Sequence, residues 1–527
     1  MTNAVEELEA AETILIIGSN TTATHPLVAW RIFTAKERGA KIIVVDPRKT
    51  HIARFADLYL AERPGTDVAV INGLLHIIIK EGWYDAEFVR SRTEGFEALK
   101  ALVEEFTPER VREISGVPAE QLRLAAEMYA KRSPSSIVYC MGITQHTVGV
   151  DNVLALADLA MVTGQIGKPS SGVNPLRGQN NVQGSTDMGA IPTALPGYQS
   201  VADDAVIAKF EKAWGVTLPR KPGLTLMEMM DAAASGKMKA LYVMGENPLV
   251  SDPDVGHVKK ALENLDLLIV QDIFPTETTA LAHVVLPAVT FAEKDGTFVS
   301  TDRRIQRVRK AIEPLGDSRP DWRIICDVAN ALGAAGFDYA SSKEVFDEIA
   351  ALVPLYAGVD YERIRENGIQ WPCRTKEDPG TAFLHKDKFS KGLGTLKPIP
   401  YKAPAELPDE EFPLTLMTGR DPFHYHTGTM TRRSKRLTDQ LNSCYVQINP
   451  ADARGMGIRS GDMTRIESRR GAIEAAARVT KAVPKGSVFV PFHFAEAAAN
   501  VLTNPALDPV VKIPEYKVCA VRIQKAA

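Results

Sequence analysis

Thr13-Ile14-Leu15-Ile16-Ile17-Gly18-Ser19-Asn20 decides how the chain begins to fold. An unbroken β-branched and aliphatic run reads as a strand buried on both faces, and the polar Gly-Ser-Asn marks its end. Residues 27–38 then take helical spacing, and Lys41-Ile42-Ile43-Val44-Val45 repeats the strand pattern before Asp46-Pro47-Arg48. Strand, helix and strand in that order imply a parallel sheet and an α/β class. In such sheets ligands lie beyond the carboxyl ends of the strands, so Gly18-Ser19-Asn20 and Asp46-Pro47-Arg48 are candidate binding loops. The G-x-G-x-x-G spacing is absent after Gly18, which removes a nicotinamide fingerprint, although an Asp ending the second strand can still hold a ribose hydroxyl. The same residues suit plain structural work, with Asp46 capping a helix and Asn20 filling a turn, and residue type alone leaves both readings open.

Outward from this start, residues 67–131 read as helical up to Ser133-Pro134, and 136–140 as a further strand ending in Gly142-Ile143-Thr144-Gln145-His146. Residues 164–189 change character: Gly, Asn, Gln, Ser and Thr dominate, and only Lys168, Arg177 and Asp187 are charged. A long uncharged-polar loop inside a compact protein is more often functional than connective. Within it the Arg177 guanidinium can fork onto a carboxylate or phosphate, or tie loop carbonyls together. The strand pattern resumes at 240–243 before Met244-Gly245-Glu246-Asn247-Pro248, at 267–270 before Gln271-Asp272, and at 284–286. Residues 293–298 read as a turn between short strands, 314–320 as a linker, and 322–332 and 343–352 as helices. A Pro-, Lys- and Gly-rich passage over 376–408 marks a domain boundary. Beyond it, short strands at 414–417, 445–448, 463–467, 473–479 and 487–491, separated by Gly and Asp turns, fit a small β-barrel. The expected domains are 1–178 and 179–405, both α/β, the second with a small inserted segment over 291–319, and a barrel over 406–527.

At 527 residues the chain is too long for one hydrophobic core. With 45% hydrophobic and 24% charged residues it has the composition of a globular protein. No apolar run approaches the roughly 20 residues of a membrane span. The acidic residues 1–12 lack the basic start and apolar stretch of a secretory signal, so a cytoplasmic protein is expected. The five cysteines are far apart and form no C-x-x-C pair, which reads as buried thiols rather than an iron-sulfur set. A net charge of -3 without long runs argues against a nucleic-acid surface. Small molecules are the expected substrates.

The run Gly164-Gln165-Ile166-Gly167-Lys168-Pro169, followed by Gly172-Val173-Asn174-Pro175-Leu176-Arg177-Gly178-Gln179-Asn180-Asn181-Val182-Gln183-Gly184, resembles the active-site loop of molybdopterin-dependent formate dehydrogenases. The similarity extends to Val45-Asp46-Pro47-Arg48, Met244-Gly245-Glu246-Asn247-Pro248, Gln271-Asp272-Ile273-Phe274, Gln370-Trp371-Pro372-Cys373 and Pro514-Glu515-Tyr516-Lys517. The resemblance implies the α/β multidomain fold of that family with a C-terminal barrel, and two molybdopterin guanine dinucleotides around one Mo or W. By the same resemblance, Asn20, Thr24, Asp46, Arg48, Gly65, Asp67, Gln145 and Gln179 contact one dinucleotide. Asn247, Ser251, Gln271, Asp272 and Asp321 contact the other, and Arg420, His424, His426, Phe492, Asn500 and Lys517 close over both from the barrel. Such residue types suit the ligand, since Asn, Gln and Asp match the amide-like edge of a pterin while Arg and His hold pyrophosphate. The lesser alternative for His424 and His426 is that they are ordinary barrel-surface histidines.

The implied reaction is formate oxidation to CO2 with two electrons passed on, and Arg177 is the residue implied to hold the formate carboxylate. The family carries a [4Fe-4S] cysteine cluster and a Cys or selenocysteine metal ligand ahead of the position matching Met1. No protein metal ligand is therefore assigned here, and the [4Fe-4S] centre is expected only on an N-terminal segment or a partner, alongside electron-transfer subunits. The expectation is a selenocysteine UGA read as a stop, with a natural two-gene split as the alternative; an in-frame UGA joined to an upstream cysteine-rich frame decides between them. Two further alternatives are a cofactor-holding scaffold without activity alone, and a family oxidoreductase acting on another small oxyanion such as nitrate.

Overall fold

The computed structural model describes residues 1–526. The chain divides into two compact units, one formed by Met1–Gly178, Val250–Val255 and the chain from Phe383 onward, the other by Gln179–Leu249 and Gly256–Ala382.

In the first unit, strands β1 (Thr13–Ile17), β2 (Lys41–Val45), β3 (Leu58–Leu60), β4 (Ser135–Tyr139) and β5 (Gly172–Pro175) form a parallel sheet in the order β3-β2-β1-β4-β5. Every residue of β1 is buried because both faces are covered. Leu15, Ile17, Ile43 and Ile137 pack with helices Asp67–Lys80 and Gly149–Val162. Ile14, Ile16, Ile42 and Val138 face Val28, Ile32 and Ala35 of helix Pro26–Glu37. This alternation is the two-residue period of a strand applied to a sheet with helices on both sides. The chain turns to opposite sides after β1 and β4, which opens a crevice at their carboxyl ends. The helical stretch expected over 67–131 is divided into five helices by short turns and the two-residue strand Thr93–Glu94.

The returning chain lies as a strap on these helices. Asn72 Nδ2 donates to Ile399 O at 2.8 Å, and the Lys397 N–H points at both Asp158 oxygens at 3.1 and 3.2 Å. Burial raises Asp158 from 3.8 to about 8, against the pull of the Lys397 N–H and the Lys397 charge. An unfolded carboxyl loses its proton near 3.8, so between about pH 4 and pH 8 the folded form holds more protons. The stability this group contributes is complete below that window and is lost as pH rises through it. Asp158→Asn should therefore flatten the decline of the thermal midpoint between pH 4 and 8, and an unchanged slope would refute the assignment.

The same unit holds a closed barrel of six strands, Leu414–Gly419, Ser487–Pro491, Tyr445–Ile448, Ala472–Val479, Met463–Glu467 and Cys519–Lys525 in order around it. Sequence patterning supplies five of them. The sixth pairs Val521 with Leu414 and Ile523 with Ile466, removing the last two open edges.

The second unit carries a parallel sheet of Val284–Pro287, Leu267–Asp272 and Ala240–Met244, in that order. It also carries the hairpin Gly296–Val299 and Arg304–Val308, extended by Ile369–Gln370. The turn expected over 293–298 lies later, at 300–303, where the Ser300 N–H donates to Arg304 O at 3.0 Å and Arg303 takes a φ of 70°. Lys294-Asp295-Gly296 has turn composition, but Thr297, Phe298 and Val299 are strand formers and prevail. The supposed loop over 164–189 is likewise partly regular, containing β5 and helix Val182–Asp187. Asp187, 1% exposed, anchors that helix: Oδ1 accepts from Gln183 Nε2 at 2.8 Å and Tyr198 OH at 2.7 Å, and Oδ2 from Tyr356 OH at 2.6 Å and Trp371 Nε1 at 2.8 Å. Among the described residues no helix is long and apolar enough to cross a membrane.

Candidate cofactor cleft

The crevice between β1 and β4 is made possible by two glycines. Gly18 takes a φ of 57° just beyond β1, and its carbonyl accepts from the Gly142 N–H at 3.0 Å. A Cβ on Gly142 would sit 2.5 Å from Gly18 O and 2.6 Å from Gly18 Cα, closer than atoms tolerate. Gly142→Ala should thus force the two strand ends apart at roughly 1–3 kcal/mol and reduce pterin retention. Gly455→Ala, which has nothing within 4 Å of the added carbon, should do neither, and equal effects of the two would remove the close-approach argument.

Around this contact the strand ends assemble a cleft. Asn20 and Thr24 follow β1, Asp46 and Arg48 follow β2, Gly65 and Asp67 follow β3, and Cys140 and His146 follow β4. Thr418, Arg420, Phe492 and Lys517 of the barrel complete the lining. Asp46 Oδ1 accepts from the Arg48 N–H at 2.9 Å, and burial lifts its carboxyl to about 6 despite the Arg48 charge. Arg48 lies over the Phe489 ring with its guanidinium carbon 3.7 Å from the centroid, a cation–π contact that seats its charge in the cleft wall. Burial also raises Asp67, and raises Glu62 well above the carboxylate range. Lys517 falls to about 8 for the same reason, while its Nζ donates to Thr418 O at 3.0 Å.

Two observations test whether a pterin dinucleotide suits this cleft. Asn20 Oδ1 and Arg420 Nε are buried without a hydrogen-bond partner among the described residues, an acceptor and a donor of the kinds that a pterin edge and a phosphate require. The lining also combines Arg48, Arg420 and Lys517 with buried carboxyls able to accept ring N–H groups. The residues fit.

The other expected residues have different surroundings. Gln145 and His426 lie in the same unit but outside the lining, and Gln179 begins the second unit. Arg177 is exposed just beyond β5, and its carbonyl meets His25 Nε2 at 2.6 Å. His424 and His426 are not surface histidines. His424, 4% exposed, spends its ring on Leu441 O at 2.6 Å and Thr431 Oγ1 at 3.3 Å, so it braces the barrel. His426 Nε2 contacts Arg420 Nη2, and burial holds the His426 ring near 3 and therefore neutral. Asn500 Nδ2 donates to Ser251 O at 2.8 Å and Val250 O at 3.1 Å, tying the barrel to the 250–255 segment.

In the second unit, Asn247, Gln271 and Asp272 gather at the carboxyl ends of its parallel strands. Gln271, fully buried, donates from Nε2 to Asp321 Oδ1 at 2.8 Å, and Asn247 Oδ1 accepts from Thr278 Oγ1 at 2.7 Å. Asp272 Oδ1 accepts from the Ile273 N–H at 2.6 Å. Lys294, unassigned from sequence, pairs with Asp321. His146 and Thr418, which line the cleft, and His25, which meets the Arg177 carbonyl, were also missed. His146 stands in a quoted strand end and was within reach of the strand-end rule; the other two carry no local signal.

The family model described as Molybdopterin oxidoreductase matches residues 1–331, and that described as Molydopterin dinucleotide binding domain matches residues 414–520. The chain belongs to the molybdopterin oxidoreductase family. It is 54% identical over 529 residues to the F420-dependent formate dehydrogenase subunit alpha of Methanocaldococcus jannaschii, covering 100% of this chain and 78% of that protein. It is 43% identical over 534 residues to formate dehydrogenase H of Escherichia coli, covering 100% of this chain and 74% of that one. The solved structure of acetylene hydratase from Pelobacter acetylenicus shares the fold at a TM-score of 0.78 and 22% identity, over 100% of this chain and 81% of that chain.

Proposed function

We propose that this chain is the body of the catalytic subunit of a molybdenum or tungsten formate dehydrogenase, which converts formate to CO2, a proton and two electrons. The observation that carries the reading is the likeness, unbroken over the whole chain, to formate dehydrogenase subunits at 54% and 43% identity. When bound, the bis-pterin metal centre supplies the two-electron acceptor.

The chain's own residues bind and orient. Asn20, Thr24, Asp46, Arg48, Gly65 and Asp67, with Gln145 and Gln179, hold one dinucleotide. Asn247, Ser251, Gln271, Asp272 and Asp321 hold the other. Arg420, Phe492, Asn500 and Lys517 act from the barrel, with His426 steadying Arg420 and His424 bracing the wall. Arg177 holds the formate carboxylate through its planar fork. Functionally the chain works as two pterin-binding α/β domains, 1–178 and 179–405, and a closing barrel, 406–527. A [4Fe-4S] centre on an N-terminal segment or partner would supply the route by which electrons leave toward electron-transfer subunits, in the cytoplasm. The test is formate-dependent dye reduction by the natively assembled enzyme together with metal and pterin analysis. Reduction driven by formate with bound pterin is expected; a pterin-loaded enzyme inert to formate but active on nitrate would overturn the proposal.

A further inference from the structure

The backbone carrying Arg177 is gripped from two sides. Its carbonyl lies 2.6 Å from His25 Nε2, and the next one, Gly178 O, lies 3.4 Å from Arg420 Nη1. His25 sits between the turn Thr21–Thr24, which follows β1, and helix Pro26–Glu37. Its Nδ1 is 2.7 Å from Thr24 Oγ1, which is itself 3.1 Å from Asn20 O. Both Asn20 and Thr24 line the cleft. Burial holds the His25 ring below its usual value although the Arg177 carbonyl favours the charged form, so the ring is neutral with a single N–H. A carbonyl can only accept, which assigns that hydrogen to Nε2 and leaves Nδ1 an acceptor, so the single Thr24 hydroxyl hydrogen is shared between Nδ1 and Asn20 O. Side chain and backbone thus join the cleft wall to Arg177 across 152 residues of sequence.

We infer that His25 is a positioning residue for substrate: by donating to the Arg177 carbonyl it fixes the backbone from which the guanidinium reaches formate, and couples it to the turn that lines the cofactor cleft. This rests on the reading of Arg177 given above. Arg420 does the same for the following carbonyl while also facing the cleft, so the substrate-holding segment is registered against the cofactor wall at two consecutive peptide groups. A site needs such support because a small displacement of an orienting group is enough to lose rate.

The experiment compares His25→Leu and His25→Gln in the natively assembled holoenzyme, reading amide hydrogen exchange over 174–181, metal and pterin content, and formate kinetics. Loss of one such bond should lower kcat/KM for formate on the order of tenfold, chiefly through KM, in His25→Leu. Exchange over that segment should quicken while cofactor content holds. His25→Gln, whose amide N–H reaches where Nε2 does, should recover most of both. Added to Arg177→Ala, His25→Leu should cost nothing further, because the side chain it positions is gone. Unchanged exchange and KM in His25→Leu, multiplying effects in the double variant, or cofactor loss that His25→Gln fails to rescue would each overturn the inference. Should Arg177→Ala itself leave formate kinetics intact, the reading of Arg177 fails first and takes this inference with it.

Discussion

Arg177→Ala in the assembled enzyme is expected to lower kcat/KM for formate roughly a hundredfold, with metal and pterin retained. The guanidinium presents two parallel N–H donors to the two oxygens of a carboxylate, which an ammonium cannot do. Arg177→Lys should therefore recover part of the loss and no more. Arg177 already acts on its surroundings: burial pushes the Tyr139 phenol up to about 12 while the Arg177 charge pulls it back. An arginine that only braced its segment would lose stability and cofactor on substitution without a selective formate defect. Kinetics normalised to bound metal separate the two, and an unchanged kcat/KM per metal in Arg177→Ala would remove the residue from the mechanism.

A comparably large effect, on stability, is expected at Asp187. Its carboxylate collects donors from Gln183, Tyr198, Tyr356 and Trp371, so removing it strands the buried Gln183 amide and Tyr356 hydroxyl and frees the Trp371 and Tyr198 donors as well. Burial and the Asp187 charge already push the Tyr356 phenol well above its ordinary value. Asp187→Ala should cost about 3–5 kcal/mol, a drop of roughly 6–20 °C in the thermal midpoint of a unit this size. Asp187→Asn should cost less but still be destabilising, since its amide turns a donor toward donors. A midpoint lowered by less than about 2 °C in Asp187→Ala would mean the hub adds little.

The parallel sheet was legible because β1, β2 and β4 are buried on both faces over nearly their whole length, so β-branched and aliphatic residues run on in each without polar alternation. The barrel was legible as five alternating runs, but Cys519–Lys525 ends in exposed Gln524 and Lys525, and only its pairing with Leu414–Gly419 and Met463–Glu467 reveals it as a strand. Strand-end position singled out Asn20, Asp46, Gln271 and Asp272. It could not single out His25, because the partner that defines its role is a carbonyl 152 residues away. For His424 too the sequence gives no local sign that its ring nitrogens will meet Leu441 O and Thr431 Oγ1, 17 and 7 residues along the chain.

The chain leaves the first unit at Gly178 and, apart from Val250–Val255, does not rejoin it until Phe383. In polymer terms the second unit is a loop inserted between two anchored ends. The entropy of closing a loop grows only logarithmically, by about 0.6 kcal/mol for each doubling of its length. Segments can therefore be gained or lost at the surface of the insert with little thermodynamic penalty to the sheet, strap and barrel. The burden falls on kinetics instead: contacts such as Asn72 to Ile399, 327 residues apart, wait for most of the chain to emerge from the ribosome, and the unfinished sheet stays exposed to misassembly in the meantime.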